Sequence, residues 1–369
     1  MTTALRRLAL GAYVPARTAR WPKASRLFVV GDDFGWSIDD DRDRLSAAAR
    51  RLGYEVAPPA WARFAQRQAL FHHDHFGALQ PRWLESSHLL GLSYFHGRPG
   101  TSGYPEFDRA YDALKRHAGR IDRVQVTHAE MHELVLAAGV DPGKVHRIPI
   151  GVDLENFPLV DQARRAQARA RFGIPESAFV VGSFVKDGVG LGDGDQPKLV
   201  KGPDSLVAVL ARLHETIPEL VVFLTGPARG YVRGELERRG VALRHTLLGT
   251  RAELGRAYHA LDVSLVASRQ EGGPKAVLES LAAGVPLVTT RVGQAPELLA
   301  DGESGLLAEV DDVDSLTAAV SRIHADAELA GRLRTAGRLT AEANADERLD
   351  GRWAALLDGF VQKGSSRGD

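Results

Sequence analysis

The stretch "DVSLVASRQEGGPKAVLESLAAGVPLVTTRVG" (262–293) decides the fold. A strand-like run, "DVSLVAS" (262–268), is followed by a helical segment opened by Gly272, Gly273 and Pro274, and then by a second strand-like run, "PLVTTRVG" (286–293). Strand, helix and strand in succession are the pattern of a parallel sheet covered by helices. The alternation extends upstream through "AFVVGSFV" (178–185), "LVVFLTG" (220–226) and "VALRHTLLG" (241–249). A separate series occupies the first half: "RLFVVG" (26–31), "LLGLSYFHG" (89–97), "DRVQVT" (122–127) and "KVHRIPIGVD" (144–153), with helical segments between them. Two consecutive open α/β units of this kind place a ligand cleft at their carboxyl edges. The terminal segment 345–362 reads as an amphipathic helix expected to pack back on the first domain.

The chain has 369 residues, about two to three domain lengths, and 44% hydrophobic against 25% charged residues. It has no run of 18 uncharged apolar positions, so neither disorder nor membrane spanning is its theme. Forty-seven basic residues balance 47 acidic ones, which excludes a global field for nucleic acid or anionic membrane; any anion must be bound locally. The absence of cysteine excludes disulfides, thiolate metal sites and thiol nucleophiles, and fits a reducing, cytoplasmic location. The basic first 26 residues hold an apolar stretch, Leu8–Val14, too short and polar for a secretory signal.

Pro274 suits a first helical position, where its missing N–H has no intrahelical partner. The two glycines before it allow another group close to the backbone, so the helix opens with exposed amides and the positive end of its dipole, a ready phosphate site. Lys275 lies in that first turn, where the dipole disfavours a cation; a bound anion explains its placement. A Lys275–Glu279 ion pair is the plainer reading, in the weaker orientation. Glu271, just outside the helix, adds a second carboxylate. Two carboxylates beside an amide-lined anion site suit a ligand with hydroxyls and phosphates, such as a sugar nucleotide. Only eight of the 47 basic residues are lysines, and Lys186, Lys198, Lys201 and Lys275 all fall in second-half segments expected at the cleft, which supports a local diphosphate site.

On these residues the sequence resembles the retaining glycosyltransferases of family 4. Glu271 and Glu279, Gly284-Val285-Pro286, Pro296-Glu297 and Gly302/Gly305-Leu306-Leu307 match that family's pattern in order and spacing. "KVHRIPIGVDLENF" (144–157) resembles its inter-domain segment and "LLGTRAELGRAYHALDVSLVAS" (247–268) its nucleotide-base region, so the resemblance covers residues 90–325. It implies a GT-B architecture: two doubly wound, parallel-sheet, Rossmann-like domains facing across a cleft. The acceptor-side domain is then 1–157 with the terminal helix 345–363, and the nucleotide-sugar domain is 158–344. The resemblance further implies that Glu279 binds ribose hydroxyls, that Glu271 faces the transferred sugar, and that the amides of Gly272 and Gly273 meet sugar or diphosphate. Lys201-Gly202 looks like the family's Lys-Gly, with Lys201 on the diphosphate. Where the family has an arginine, after the glycine of its first second-domain strand, Ser183 follows Gly182; Lys186, preferred over Lys198, supplies the second cation.

His96, ending "GLSYFHG", holds a position where the family has a histidine near donor sugar and acceptor, with Arg98 beside it. Gly35, in "GDDFGWSIDDD" (31–41), matches the family's glycine turn. The acidic run Asp39–Asp41 reads either as an acceptor contact or as the solvated start of a helix. "FHHDHF" (71–76) lacks zinc-site spacing, and no metal site is expected. Four of five tryptophans (21, 36, 61, 83) fall in the first half; core packing is favoured over a carbohydrate platform. "GDGD" (192–195) reads as a flexible turn.

The expected function is transfer, with retained configuration and without a cofactor or metal, of a sugar from a UDP- or GDP-sugar donor to a hydroxyl of a small-molecule or glycan acceptor. No nucleic-acid or membrane partner is expected. The rivals are a glycoside hydrolase with Glu271 and Glu279 as its carboxylate pair, which leaves the lysines and glycine-opened helix unexplained, and a non-catalytic sugar-nucleotide-binding protein.

Overall fold

The computed structural model describes residues 21–31, 37–190 and 192–364; Gly35 lies outside them. Among these residues the strand-forming runs build two six-stranded, all-parallel sheets, one in each of two compact units. The first unit comprises the described residues up to Ile150 together with those from Asp346, and the second is Gly151–Ala345.

In the first unit, β1 (Leu27–Val30), β2 (Val56–Ala57), β3 (Ala69–His72), β4 (Leu89–Ser93), β5 (Arg123–Val126) and β6 (Val145–Arg147) lie in the order β2-β1-β3-β4-β5-β6. Alternate side chains go to opposite faces. Phe28, Leu70, Leu90 and Leu92 join one buried cluster, while Leu27, Val29, Ala69 and Phe71 join another. The second cluster is completed by the end of the chain: Trp353, Leu356, Leu357, Phe360 and Val361 are all buried in it. The terminal segment is a 3-10 turn, Asp346–Leu349, leading into the helix Asp350–Leu357, shorter than the continuous helix expected over 345–362. Ion pairs Arg44–Asp346 and Arg51–Asp350, both 2.7 Å, tie it to the helix Ser37–Arg51.

In the second unit, β7 (Phe179–Ser183), β8 (Leu220–Thr225), β9 (Leu243–Thr246), β10 (Val263–Val266), β11 (Leu287–Thr290) and β12 (Leu306–Ala308) lie in the order β12-β11-β10-β7-β8-β9. The chain builds outward from β7 through β8 and β9, then returns to the other side of β7 with β10. Central strands are buried on both faces: Val181 and Val222 pack with Leu206, Leu210 and Leu213 of the helix Pro203–Thr216, and Val180 and Val221 with Val277 and Leu281 of the helix Lys275–Ala283. The Arg/Ala-rich stretch before β7 is the helix Gln162–Phe172. Its buried Arg169 donates to Asp262 Oδ2 at 2.7 Å, and the same oxygen accepts the Val180 amide at 2.7 Å. That network locks β7 beside β10 at their amino ends. Among the described residues no helix is long and apolar enough to cross a membrane.

The sequence reading missed β2, β3 and β12 as strands. In β3 the run is Ala69-Leu70-Phe71-His72, all four buried; the histidine-rich continuation hid a strand whose polar last residue is interior.

Candidate active site

In a doubly wound sheet, ligands bind outside the carboxyl ends of the strands where strand order reverses. In the second unit that point lies between β7 and β10, whose carboxyl-end exits are 184–187 and 267–274. Three loops converge there. Val200 accepts hydrogen bonds from the amides of Arg269 (2.9 Å) and Gln270 (3.0 Å), binding the turn Leu199–Lys201 to the β10 exit. Gly202 has φ +61°, and a Cβ on it would overlap the carbonyl oxygen of Ala267, so only glycine permits this approach. The result places Lys201 Nζ 2.6 Å from Glu271 Oε2, while Ser268 Oγ donates to Glu271 Oε1 at 2.9 Å. From the β11 exit, Gln294 donates its amide to the Gly272 carbonyl at 3.1 Å, and Gly293 (φ +55°) lies so close that a Cβ would overlap the carbonyls of Glu271 and Gly272. Glu271 is 9% exposed.

Gly272, Gly273 and Pro274 are buried, and Lys275 is half-buried at the first position of the helix Lys275–Ala283. Pro274 stands one residue earlier than expected: its ψ of 109° is extended, making it the capping residue, and its carbonyl accepts the Val277 amide at 2.9 Å. One turn on, Glu279 is 4% exposed; Tyr258 Oη donates to its Oε2 at 3.0 Å, and Arg251 Nη2 lies 2.8 Å from Oε1. Lys275 and Glu279 share a helix, and Glu279 pairs with Arg251. Glu271, Lys201, Gly272, Gly273, Pro274, Lys275 and Glu279 thus gather on the reversal point and the helix beside it.

Lys186 follows β7 and is half-buried, and burial lowers its ammonium below the ordinary lysine value. Beneath this exit is a charge pair that sequence reasoning missed. Arg229, 1% exposed, donates to the Ser183 carbonyl at 2.7 Å, and its Nη2 lies 2.9 Å from the carboxylate of Asp187, also 1% exposed. Burial raises the Asp187 carboxyl, with Arg229 opposing the rise. A guanidinium does reach the position of Ser183, then, but from the loop after β8 and sealed inside the protein. The "GDGD" segment is packed rather than free: Gly230 and Tyr231, opening the helix Gly230–Arg238, donate their amides to the carbonyls of Asp193 and Gly194. The amide of Lys198 donates to the Asp187 carbonyl at 2.8 Å, closing that loop.

In the first unit, His96 lies beyond the carboxyl end of β4, half-buried, its ring edge-on to Phe107 at 5.7 Å and 6.1 Å from His75. Arg98 pairs with Glu130. The "FHHDHF" residues serve the core: Asp74 caps the short helix His75–Ala78, accepting the amides of Phe76 and Gly77. Burial depresses His72 to about 3 and His75 well below its ordinary value, so both are neutral. Among the described residues no three His, Cys, Asp or Glu side chains form a metal-binding group. Asp39–Asp41 fall in the first turns of the helix Ser37–Arg51, favourable for its dipole, with Asp39 paired to Arg42 and Asp40 to Arg44. Asp39 and Asp41 are each 7% exposed, a buried rather than solvated helix start. Trp21, Trp61 and Trp83 pack on the core cluster of this unit.

Comparison with known proteins bears on this arrangement. The family pattern described as Glycosyl transferases group 1 matches residues 194–326, which include the whole Lys201–Glu271–Glu279 assembly. The chain is 34% identical to D-inositol 3-phosphate glycosyltransferase of Segniliparus rotundus over 252 residues, 64% of this chain and 52% of that protein. It is 30% identical over 278 residues to GDP-mannose-dependent alpha-(1-6)-phosphatidylinositol monomannoside mannosyltransferase of Mycolicibacterium smegmatis, covering 70% of this chain and 67% of that one. The chain spans about half the length of the first of these curated relatives. The fold is shared with Anabaena HepE, solved with UDP and glucose (TM-score 0.72, 16% identity, 91% of this chain and 99% of that one). It is shared also with sucrose-phosphate synthase of Thermosynechococcus elongatus (TM-score 0.70, 19% identity, 92% and 99%). With its two parallel sheets, its ordered Glu271 and Glu279 motif, and a relative matched at 30% identity over two thirds of that relative's length, this chain belongs to the glycosyl transferases group 1 family.

Proposed function

We propose that this protein is a retaining glycosyltransferase that moves a sugar from a nucleotide diphosphate sugar, UDP- or GDP-linked, to a hydroxyl of a small-molecule or glycan acceptor. The observation that carries the reading is the meeting of Lys201, Glu271 and the glycine-opened helix Lys275–Ala283 at the strand-order reversal of the second unit. A cation and a helix N-terminus suit the diphosphate of such a donor, and the carboxylate beside them suits its sugar hydroxyls.

In this reading Lys201, Lys275, Lys186 and the helix-start amides, with Gly272 and Gly273 allowing close approach, stabilise charge that grows on the departing diphosphate. Glu271, fixed by Lys201 and Ser268, orients the sugar and balances positive charge at its anomeric carbon. The diphosphate itself receives the acceptor proton on the face it leaves, so the configuration is kept. Glu279 takes ribose hydroxyls, and His96 serves the acceptor side. These cations supply the charge a divalent metal would bring; turnover surviving excess chelator is the check.

A hydrolase reading is disfavoured because Glu271 and Glu279 each face a cation, Lys201 and Arg251, whereas a glycosidase needs one carboxyl that carries a proton. The names of the relatives mention inositol-based acceptors, so acceptor trials begin with inositol phosphates and their lipids. The donor is tested by thermal stabilisation with UDP-, GDP-, ADP- and TDP-sugars. One donor should raise the melting temperature and undergo slow hydrolysis without acceptor. Stabilisation without any turnover would leave a non-catalytic binder; no stabilisation would sink the proposal.

A further inference from the structure

The side chains that hold Glu279 come from one helix. Arg251 is the first residue of the helix Arg251–Tyr258, whose start is capped by Thr250 Oγ1 accepting the Glu253 amide at 3.1 Å. A cation in that position opposes the helix dipole, so its placement has to be explained by what it touches. It touches Glu279 Oε1 at 2.8 Å, with its guanidinium 5.0 Å above the ring of Phe157. Tyr258 is seven residues on, two turns along the same face, and fully buried. Its hydroxyl donates to Glu279 Oε2 at 3.0 Å, and burial beside that carboxylate raises the phenol well above its ordinary range, keeping it a donor. Tyr258 thus gives Oε2 its hydrogen bond, whereas Oε1, buried beside the Arg251 charge, accepts none. A carboxylate offers about four lone-pair directions; Tyr258 takes one, and the pair of contacts fixes the plane in which the others point.

We propose that Arg251 and Tyr258 are positioning residues that hold Glu279 so that its unfilled lone-pair directions, those of the orphaned Oε1 included, accept the vicinal 2′- and 3′-hydroxyls of the donor ribose, making the site select ribonucleotides over 2′-deoxyribonucleotides. This rests on the reading of Glu279 as the ribose-binding residue. A carboxylate free to rotate would still take one hydroxyl and would lose the preference for two.

The test is calorimetric titration of UDP, GDP and ADP and their 2′-deoxy counterparts into wild type, Arg251→Met, Arg251→Lys, Tyr258→Phe and Glu279→Gln. Melting temperatures without nucleotide report whether each variant is folded. Wild type should bind the ribose form of its preferred nucleotide about tenfold or more tightly than the deoxy form, the order expected for one hydrogen bond to a charged group. Arg251→Met and Tyr258→Phe should bring that ratio below about threefold, mainly by weakening the ribose form, and Arg251→Lys should restore part of it. If Arg251→Met fails to fold, the nearly isosteric Tyr258→Phe decides. Weakening of both forms alike, with the ratio kept, would overturn the inference and leave these residues a purely structural role. A ratio lost in Glu279→Gln but kept in the Arg251 and Tyr258 variants would overturn the inference alone. A ratio near one in wild type, or one that Glu279→Gln leaves unchanged, would remove the ribose role itself.

Discussion

Replacing Lys201 by methionine keeps most of the side-chain stem and removes the charge, and the structure sets what should follow. The ammonium lies 2.6 Å from Glu271 Oε2, with Lys201 17% and Glu271 9% exposed at their side chains. Glu271 would keep only the Ser268 hydroxyl, at a stability cost of about 1.5–3 kcal/mol for a lost charged hydrogen bond. The functional cost is separate. If Lys201 meets phosphate charge that grows as the glycosidic bond breaks, kcat should fall on the order of a hundredfold, about 2.7 kcal/mol, as for loss of one preorganised charge-stabilising donor. Glu279→Ala makes the contrast, since a ribose is unchanged between ground and transition states. Its loss should weaken donor Kd roughly tenfold to a hundredfold and leave kcat at saturating donor within about threefold. Donor Kd by calorimetry and kcat by steady-state turnover, on both variants, give the four numbers needed. A Lys201→Met enzyme weakened in binding alone, beside a Glu279→Ala enzyme with intact affinity and no turnover, would refute the reasoning and put Glu279 in the chemistry.

Other consequences concern stability. Gly202→Ala places a methyl into the Ala267 carbonyl at φ +61°, and should cost more than about 2 kcal/mol, read as a lowered melting temperature; an unchanged value would mean the 199–202 turn does not need its close approach. Asp262→Ala leaves the 2%-exposed Arg169 without its carboxylate and should cost about 3–5 kcal/mol, a fall on the order of 10 °C in melting temperature. His72, buried with its folded value near 3 against 6.5 unfolded, binds its proton more readily in the unfolded chain. Stability should therefore be full above about pH 6.5 and fall as pH drops from there towards 3, by up to about 1.4 kcal/mol per unit from this group. Denaturant titrations of wild type and His72→Leu should show the flatter pH dependence in the variant; parallel curves would contradict this.

The second unit was legible because its site is contiguous: Glu271, the two glycines, Pro274, Lys275 and Glu279 lie within nine residues on one loop and helix, so spacing alone carries their geometry. Lys201 was legible through the resemblance of Lys201-Gly202 to the family's Lys-Gly; the structure adds the reason for the glycine, which the turn requires where it meets the β10 exit. Contacts between residues distant in sequence were not. Arg229 reaches Ser183 across 46 positions, and nothing in its surroundings marks it as an interior cation. Arg251 lay inside a stretch already assigned to the nucleotide base, yet its pairing with Glu279 depends on how two helices pack, a relation that single-sequence periodicity does not contain. Pro274 shifted by one position because a proline fits equally as the cap or as the first helical residue, and only ψ tells them apart. The strand β3 was hidden by histidines that burial keeps neutral.

The central claim is that the reversal point between β7 and β10 holds a nucleoside diphosphate through its phosphates. The most direct measurement is calorimetric titration of the wild-type protein with UDP and GDP, each against the monophosphate of the same base. With Lys201 and the amides of the helix Lys275–Ala283 acting on the second phosphate, one diphosphate should bind at least tenfold more tightly than its monophosphate. Equal affinities for diphosphate and monophosphate, or no binding of either diphosphate, would contradict the claim.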